Sequence, residues 1–325
     1  MKRFIHTTLH PEVYHGHGKR PPYFEGWYFK MIDAAEQHKL AVIPGIFIGR
    51  EHSEAFVQVL DGVSGESSYH VYPAEQFSAS WEAFDLCIGP NRFTTDSISL
   101  NIEDDKHPLR GELRFKDITP FPVTPTSPGI MGWYGWLPFM ECYHGLISLD
   151  HVMEGTLELS GRRIDFSDGR GYLEKDWGQA FPSAYIWQQT NHFGTYGTCL
   201  SASIAMIPNL GRTFRGFIVA FWHNTQLYRF ATYTGARTEK LELSDEHLFW
   251  VVSDGQQRLE MYSERAAGGL LHAPIRTEMH RRVNETLQAT VSVRLTTRAG
   301  QVLFNAIGRH AGLEVYGDLE TLLRS

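Results

Sequence analysis

Cysteine is scarce: the 325 residues hold three, Cys87, Cys142 and Cys199, far apart and without a CxxC pair. That excludes a disulfide framework and a paired-thiolate zinc clip, and the three read as reduced packing residues. Excess positive charge is missing too, since 30 Lys and Arg against 37 Asp and Glu leave a formal charge of −7. Without a basic field the chain has no general hold on a phosphate backbone, so nucleic acid is not an expected partner. Long apolar runs are absent as well. One long uncharged stretch, residues 120–140, contains Pro120, Pro122, Pro125, Pro128 and Pro138, too many helix breakers for a membrane span. The opening residues MKRFIHTTLH carry Lys2 and Arg3 but no apolar leader core, so a cytoplasmic address is expected. A dinucleotide glycine fingerprint, a phosphate-binding P-loop and a GxSxG elbow are all missing, which removes the common nucleotide and α/β-hydrolase routes.

What is present is an ordered, aromatic-rich chain, 42% hydrophobic and 13% aromatic with 21% charged residues. Short runs of β-formers, for example residues 26–32, 39–48, 109–117, 184–190 and 199–207, alternate with turn residues such as Asp61-Gly62, Gly161 and Asp254-Gly255. The expected fold is therefore all-β, built from antiparallel sheets or barrels. Only the tail, residues 317–324, reads as a helix, with Asp318 as its N-cap. Trp27 and Trp187 each precede an apolar strand that ends at a proline, Pro44 and Pro208 respectively. That repetition suggests a duplicated β unit, with a boundary near residue 168 and domains 1–167 and 168–325. The proline-rich connection, with Trp133, Tyr134 and Trp136, suits a pocket wall or lid, or a plug at a barrel end.

Three segments could carry chemistry. In residues 169–178, strand alternation places Tyr172, Glu174 and Asp176 on one face and Leu173, Lys175 and Trp177 on the other. Two carboxylates on one enclosed face repel each other and lose hydration, which raises one of their pKa values and suits general-acid work. The competing reading has Lys175 or Arg170 neutralising them in an ion-pair network. A second segment, residues 21–30, surrounds Glu25 and Lys30 with aromatics, placing Glu25, Trp27 and Phe29 opposite Phe24, Tyr28 and Lys30. It is either core or a pocket wall with Glu25 as a polar handle. The third, residues 136–145, brings Glu141, Tyr143 and His144 close together; His144 and His151 fit a proton relay or simple structural roles. His15-Gly16-His17 is the one close histidine pair, and it reads as a solvated loop better than as a metal site. Neither metal nor cofactor is expected.

YFEGWYFK at residues 23–30 resembles the N-terminal signature of the tocopherol cyclase family. EKDWG at 174–178, followed by Phe181-Pro182 and Trp187-Gln188, resembles its central signature, and AGLEVYGD at 311–318 extends the similarity. The resemblance implies a fold similar to hydroxyneurosporene-synthase-like proteins, with two lipocalin-like antiparallel β-barrels side by side and a short C-terminal helix. It also implies cofactor-free cyclisation, in which a prenylated hydroquinone is protonated at a double bond and its phenol oxygen closes a chromanol ring. Chemistry then suggests Glu174 or Asp176 as the acid, with Glu25 next, and Trp27, Trp177 and Trp187 as shields for a cation. Tyr28, Lys175, Gln188, Trp136 and His144 complete the expected substrate contacts. The alternatives are a related isoprenoid hydratase or pericyclase, and a lipocalin-like carrier of a hydrophobic ligand. The expected partner is an apolar small molecule, with transient membrane contact.

Overall fold

The computed structural model describes residues 1–209 and 212–324, with backbone only for Asn209 and Arg281. Two large antiparallel sheets account for most of it. The first holds β1 (Tyr23–Ile32), β2 (Lys39–Ile48), β3 (Ser53–Asp61), β4 (Ser67–Pro73), β5 (Phe77–Ala79) and β6 (Asp85–Ile88). It continues with β7 (Asn91–Thr94), β8 (Ser97–Ile102), β9 (Leu109–Pro120), β10 (Cys142–Leu159), β11 (Arg162–Asp165) and β12 (Arg170–Gly178). The second holds β13 (Ala184–Thr190), β14 (Cys199–Asn209), β15 (Arg212–His223), β16 (Gln226–Ala231) and β17 (Arg237–Leu243). To these it adds β18 (His247–Ser253), β19 (Gln257–Glu264), β20 (Gly269–Pro274), β21 (Met279–Thr297) and β22 (Val302–Gly317).

The duplication suggested by the Trp and Pro spacing has a topological counterpart. The first sheet runs β4-β3-β2-β1-β12-β10-β9 and onward; the second runs β16-β15-β14-β13-β22-β21-β19 and onward. In each, a four-strand meander is joined through its first strand to the last strand of the unit. By compactness the chain divides into residues 1–181 with 271–282, and residues 182–270 with 283–325. The division thus falls after residue 181 and not at 167/168, because β12 is hydrogen-bonded to both β1 and β10 of the first sheet.

Period-two alternation builds each interior. On β1 the residues Tyr23, Trp27, Phe29 and Met31 enter the first core, and Leu173 of β12 joins them. Opposite β1, the register pairs Trp27 with Lys175 and Phe29 with Leu173. The second core is built from such residues as Ile186, Ile204, Phe221, Trp250 and Leu313. Burying these side chains is the main favourable term for strands this short.

The tail forms the expected helix, α2 (Leu319–Arg324), with Thr321 donating its backbone N–H to Asp318. A helix the sequence did not suggest, α1 (Lys2–Leu9), opens the chain. One helix of this length is marginal alone, and tertiary contacts hold it: Phe4 meets the Trp136 ring at 6.0 Å and Arg3 lies over Trp81 at 5.1 Å. The proline-rich connection contributes a short 3₁₀ turn, Gly132–Trp136, whose Trp136 indole donates to the Pro125 carbonyl. All three cysteines are free. No described helix is long and apolar enough to cross a membrane.

Candidate functional site

Consecutive residues of β12 serve two different constellations, because alternation sends Glu174 and Asp176 to one face and Lys175 to the other. Inside the first unit, the Lys175 ammonium is fully buried and pairs with Glu25 Oε1 at 2.5 Å. It also donates to the carbonyls of Pro11 and Val13, and lies 2.7 Å from His15 Nδ1. The His15 backbone N–H donates to both Glu25 oxygens at 2.9 and 3.0 Å, and Tyr23 donates its hydroxyl to the same carboxylate. Burial opposes ionisation of Glu25, but the adjacent Lys175 charge and the His15 bonds hold it down to about 2. Burial lowers Lys175 to about 8 against the pull of Glu25, so both remain charged at neutral pH. His15 is held neutral, first by burial and then by the Lys175 charge.

This arrangement uses up the aromatic faces on which a substrate cation would rest. Lys175 Nζ sits 4.8 Å from the Trp27 ring centroid and 4.7 Å from that of Trp177. Trp177 also stacks on His15 at 4.3 Å and on Tyr143 at 5.4 Å. His15 is no solvated loop residue, as the sequence suggested, but one link in this network; its Nε2 bonds the Thr7 carbonyl at 2.8 Å.

The other face of β12 carries the second constellation. His144 of β10 stands opposite Asp176 in register, and Leu146 stands opposite Glu174. His144 Nδ1 lies 2.9 Å from Asp176 Oδ1, while Nε2 faces Glu174 Oε2 at 3.6 Å. Glu174 is buried and accepts a 2.5 Å bond from the Tyr172 hydroxyl. Burial favours a neutral ring in His144, but Asp176 and then Glu174 outweigh it and raise the imidazole to about 9. The two carboxylates do share a face; what sequence reasoning missed is the imidazolium between them. Lys175 pairs with Glu25 and Arg170 bonds Asp150 at 3.0 Å, so the group standing directly between the two carboxylates is His144. His144, Glu174 and Asp176 also have the donor types to hold a cation, their ligand atoms lying within 4.8 Å of one another.

A cleft of about 230 Å³ meets both constellations, lined by His15 and Trp177 from the first and His144 from the second. Its walls come from α1, residues 11–19 and the 128–138 connection, which makes that connection a pocket wall. Gly145 lets the strap approach, since a Cβ there would meet Pro11 at 3.0 Å and Trp177 at 3.1 Å. His144 Nε2 and His17 Nε2 are buried without a hydrogen-bond partner among the described residues. A buried nitrogen without a partner beside a cleft calls for one, a water, an ion or a ligand.

The remaining sequence candidates lie elsewhere. Tyr28 is buried opposite Glu174, on the His144 face. Trp136 does not line the cleft but meets the ring of Phe4, which does, at 6.0 Å. His151 is buried against Ser148 Oγ at 2.8 Å and lowered to about 3, by burial first and Arg170 second. Trp187 and Gln188 belong to the second unit, on opposite faces of β13. Gln188 is buried with its oxygen 2.5 Å from Ser263 Oγ, a polar pair within the core.

Residues 112–317 match the model of a family described as tocopherol cyclase-like. The "Tocopherol cyclase, chloroplastic" of Zea mays is 24% identical over 201 residues, covering 57% of this chain and 41% of that protein. The "Probable tocopherol cyclase, chloroplastic" of Oryza sativa subsp. japonica is 27% identical over 118 residues, 35% of this chain and 25% of the other. The chain therefore spans well under half the length of these plant relatives. Among solved structures, kievitone hydratase from Nectria haematococca superposes with a TM-score of 0.52 at 13% identity, covering 95% of this chain and 94% of that one. That likeness shows a shared double lipocalin-like fold.

Proposed function

Since the chain belongs to the tocopherol cyclase-like family, we propose that it is an acid–base enzyme that adds an oxygen nucleophile across a double bond, closing a chromanol-type ring on a prenylated hydroquinone. The observation that carries this reading is His144, an imidazolium that lines the cleft and whose Nε2 has no hydrogen-bond partner among the described residues. Asp176 holds the Nδ1 side, fixing the ring and leaving the Nε2 proton for the ligand.

The step balances without redox change. The Nε2 proton passes to one alkene carbon, the phenol oxygen bonds to the other, and the phenol proton returns to the imidazole. Substrate and product are isomers. Because Lys175 occupies the faces of Trp27 and Trp177, a free tertiary cation has no aromatic cage there. In this reading proton delivery and C–O bond formation are concerted, and the acid is His144 backed by Asp176 and Glu174, not a lone carboxyl. Both carboxylates make the imidazolium persist at neutral pH, and Glu25 is a structural counterion.

The test is incubation with prenylated hydroquinones and a search for a product of unchanged mass. His144→Gln, checked for folding by circular dichroism, should cut kcat by about 10² to 10⁴, the usual scale of general acid catalysis. Full turnover by a folded His144→Gln protein would sink the assignment. Binding without turnover in the wild type would make the chain a carrier.

A further inference from the structure

The cleft is cationic in a way that proton transfer to a neutral double bond does not require. Its lining includes Arg3, Lys19 and three histidines, His15, His17 and His144, and no Asp or Glu. Neither Arg3 nor Lys19 forms an ion pair among the described residues; Arg3 lies over the Trp81 ring at 5.1 Å instead. The two belong to a basic stretch, since residues 1–20 contain Lys2, Arg3, Lys19 and Arg20 against Glu12 alone, in a chain of formal charge −7. His17 stands between them in sequence, fixed edge-on to Tyr14 at 4.7 Å, with its Nε2 buried and unpartnered. Burial and the nearby Arg3 charge keep its ring neutral while the cleft is empty. The remaining wall is apolar, formed by Phe4, Met131, Leu137, Pro138 and Trp177.

Unpaired cations beside an orphaned imidazole at the edge of an apolar slot match a ligand of opposite polarity at one end and none along its length. We propose that the cleft takes an amphiphile with an anionic head, a carboxylate or phosphate seated among Arg3, His17 and Lys19, whose apolar body lies along Phe4, Met131, Leu137 and Trp177. This rests on the same cleft as the proton-transfer reading and adds to its ligand an anionic head that a simple prenylated hydroquinone lacks. Binding the anion favours protonation of His17, whose Nε2–H then donates to the head. A neutral hydroquinone would use only the apolar part of the site.

The experiment is calorimetric titration of the full chain with laurate, dodecyl phosphate and methyl laurate, all below their micelle concentrations. Either anion should bind at least about tenfold tighter than the ester. Arg3→Gln with Lys19→Gln should cost the anions about two- to fivefold per charge removed and leave the ester unchanged, the scale of exposed charge pairs. His17→Phe should move the anions in the same direction. Equal affinity for the ester, or equal losses for ester and anions in the variants, overturns the proposal. Vesicles of phosphatidylcholine with and without phosphatidylglycerol form a second arm. Capture by anionic vesicles without binding of free laurate gives the head to a lipid, whereas the reverse gives it to a free acid. Equal capture by neutral vesicles with no binding of either free anion overturns the anionic site. His144→Gln separates the two readings: the preference for laurate over methyl laurate should persist while turnover is lost. Wild-type turnover of a neutral prenylquinol without preference for anions would leave the enzyme reading standing and sink only this one.

Discussion

Lys175 and its neighbours on β12, Glu174 and Asp176, all lie in charged clusters of the same unit, yet the two clusters are finished to different degrees. Around Lys175 every strong group is spoken for, by Glu25, by His15 and by the carbonyls of Pro11 and Val13. On the other face His144 bonds Asp176 and turns Nε2 toward Glu174 at 3.6 Å, leaving that nitrogen buried and without a hydrogen-bond partner among the described residues. A fully satisfied buried network fixes structure, while one with an open position retains a group able to react. The Lys175 network fastens Pro11, Val13 and His15 to β12 and β1 and so shapes the cleft. In the proposed reaction the His144 cluster supplies the chemistry.

The most forceful way to break this contrast is to remove one partner of the buried pair. Lys175→Met leaves the Glu25 carboxylate, fully buried, without its main counterion. Breaking such a pair costs about 3–5 kcal/mol, whereas replacing both partners with apolar groups is often neutral. Thermal denaturation should therefore show a large loss for Lys175→Met and for Glu25→Gln, and partial recovery in the Lys175→Met, Glu25→Leu double variant. Equal, small losses in all three would mean the network is not structural. Its acid limb offers a second signature. Glu25 sits at about 2 in the folded chain against an ordinary value of 4.5. The stability it contributes is complete above about pH 4.5 and is lost as pH falls toward 2, a decline that Glu25→Gln should remove.

That contrast was half legible in the sequence. Alternation is a local property of a strand, so the separation of Tyr172, Glu174 and Asp176 from Leu173, Lys175 and Trp177 could be read directly, as could the all-β class and the helix after Asp318. Partners supplied by distant segments could not. Nothing near Lys175 in sequence announces Glu25 or the carbonyls of Pro11 and Val13, so its charge read as a neutraliser of the acidic pair. His15 looked solvated because its burial depends on that same long-range pair. Helix α1 was missed since its stability comes from Trp136 and Trp81 rather than from its own propensity. The unit boundary shifted to 181 because the sequence marks a turn at Asp168-Gly169 but not the pairing of the strand beyond it. The tryptophans of both signatures suggested a cation cage, and only the coordinates show that the protein's own ammonium fills two of their faces.

A gentler test sharpens the comparison through protons. His144 is raised to about 9 by Asp176 and Glu174 against burial. If its imidazolium is the acid, the rate should be level below about pH 8 and fall roughly tenfold per unit as pH rises through 9. Asp176→Asn removes the larger of the two raising charges, so the inflection should move to lower pH while folding is kept. Linkage carries the same sign: the folded pKa lies above the ordinary 6.5, so the stabilisation is complete below about 6.5 and is lost as pH rises through 9. A rate that rises across this range would make the neutral imidazole the working form, a base in place of an acid.

The smallest expected effect separates a proton from a metal in the same place. His144 Nε2 and Glu174 Oε2, 3.6 Å apart, could bracket a divalent ion at the usual distances of about 2.0–2.2 Å, with Asp176 on Nδ1 in the supporting position common to metal-bound histidines. The two states exclude each other, because a ligating nitrogen must be deprotonated. The carboxylates that raise His144 make the proton the stronger competitor near neutral pH. Exhaustive chelation should accordingly change the rate by less than about twofold, and added Zn²⁺ should act as an inhibitor, by displacing the proton. Loss of activity in chelator, restored by a single divalent ion and abolished by Glu174→Gln, would turn the open cluster into a metal centre. The contrast with Lys175 would then lie between a closed ion pair and a vacant ligand set.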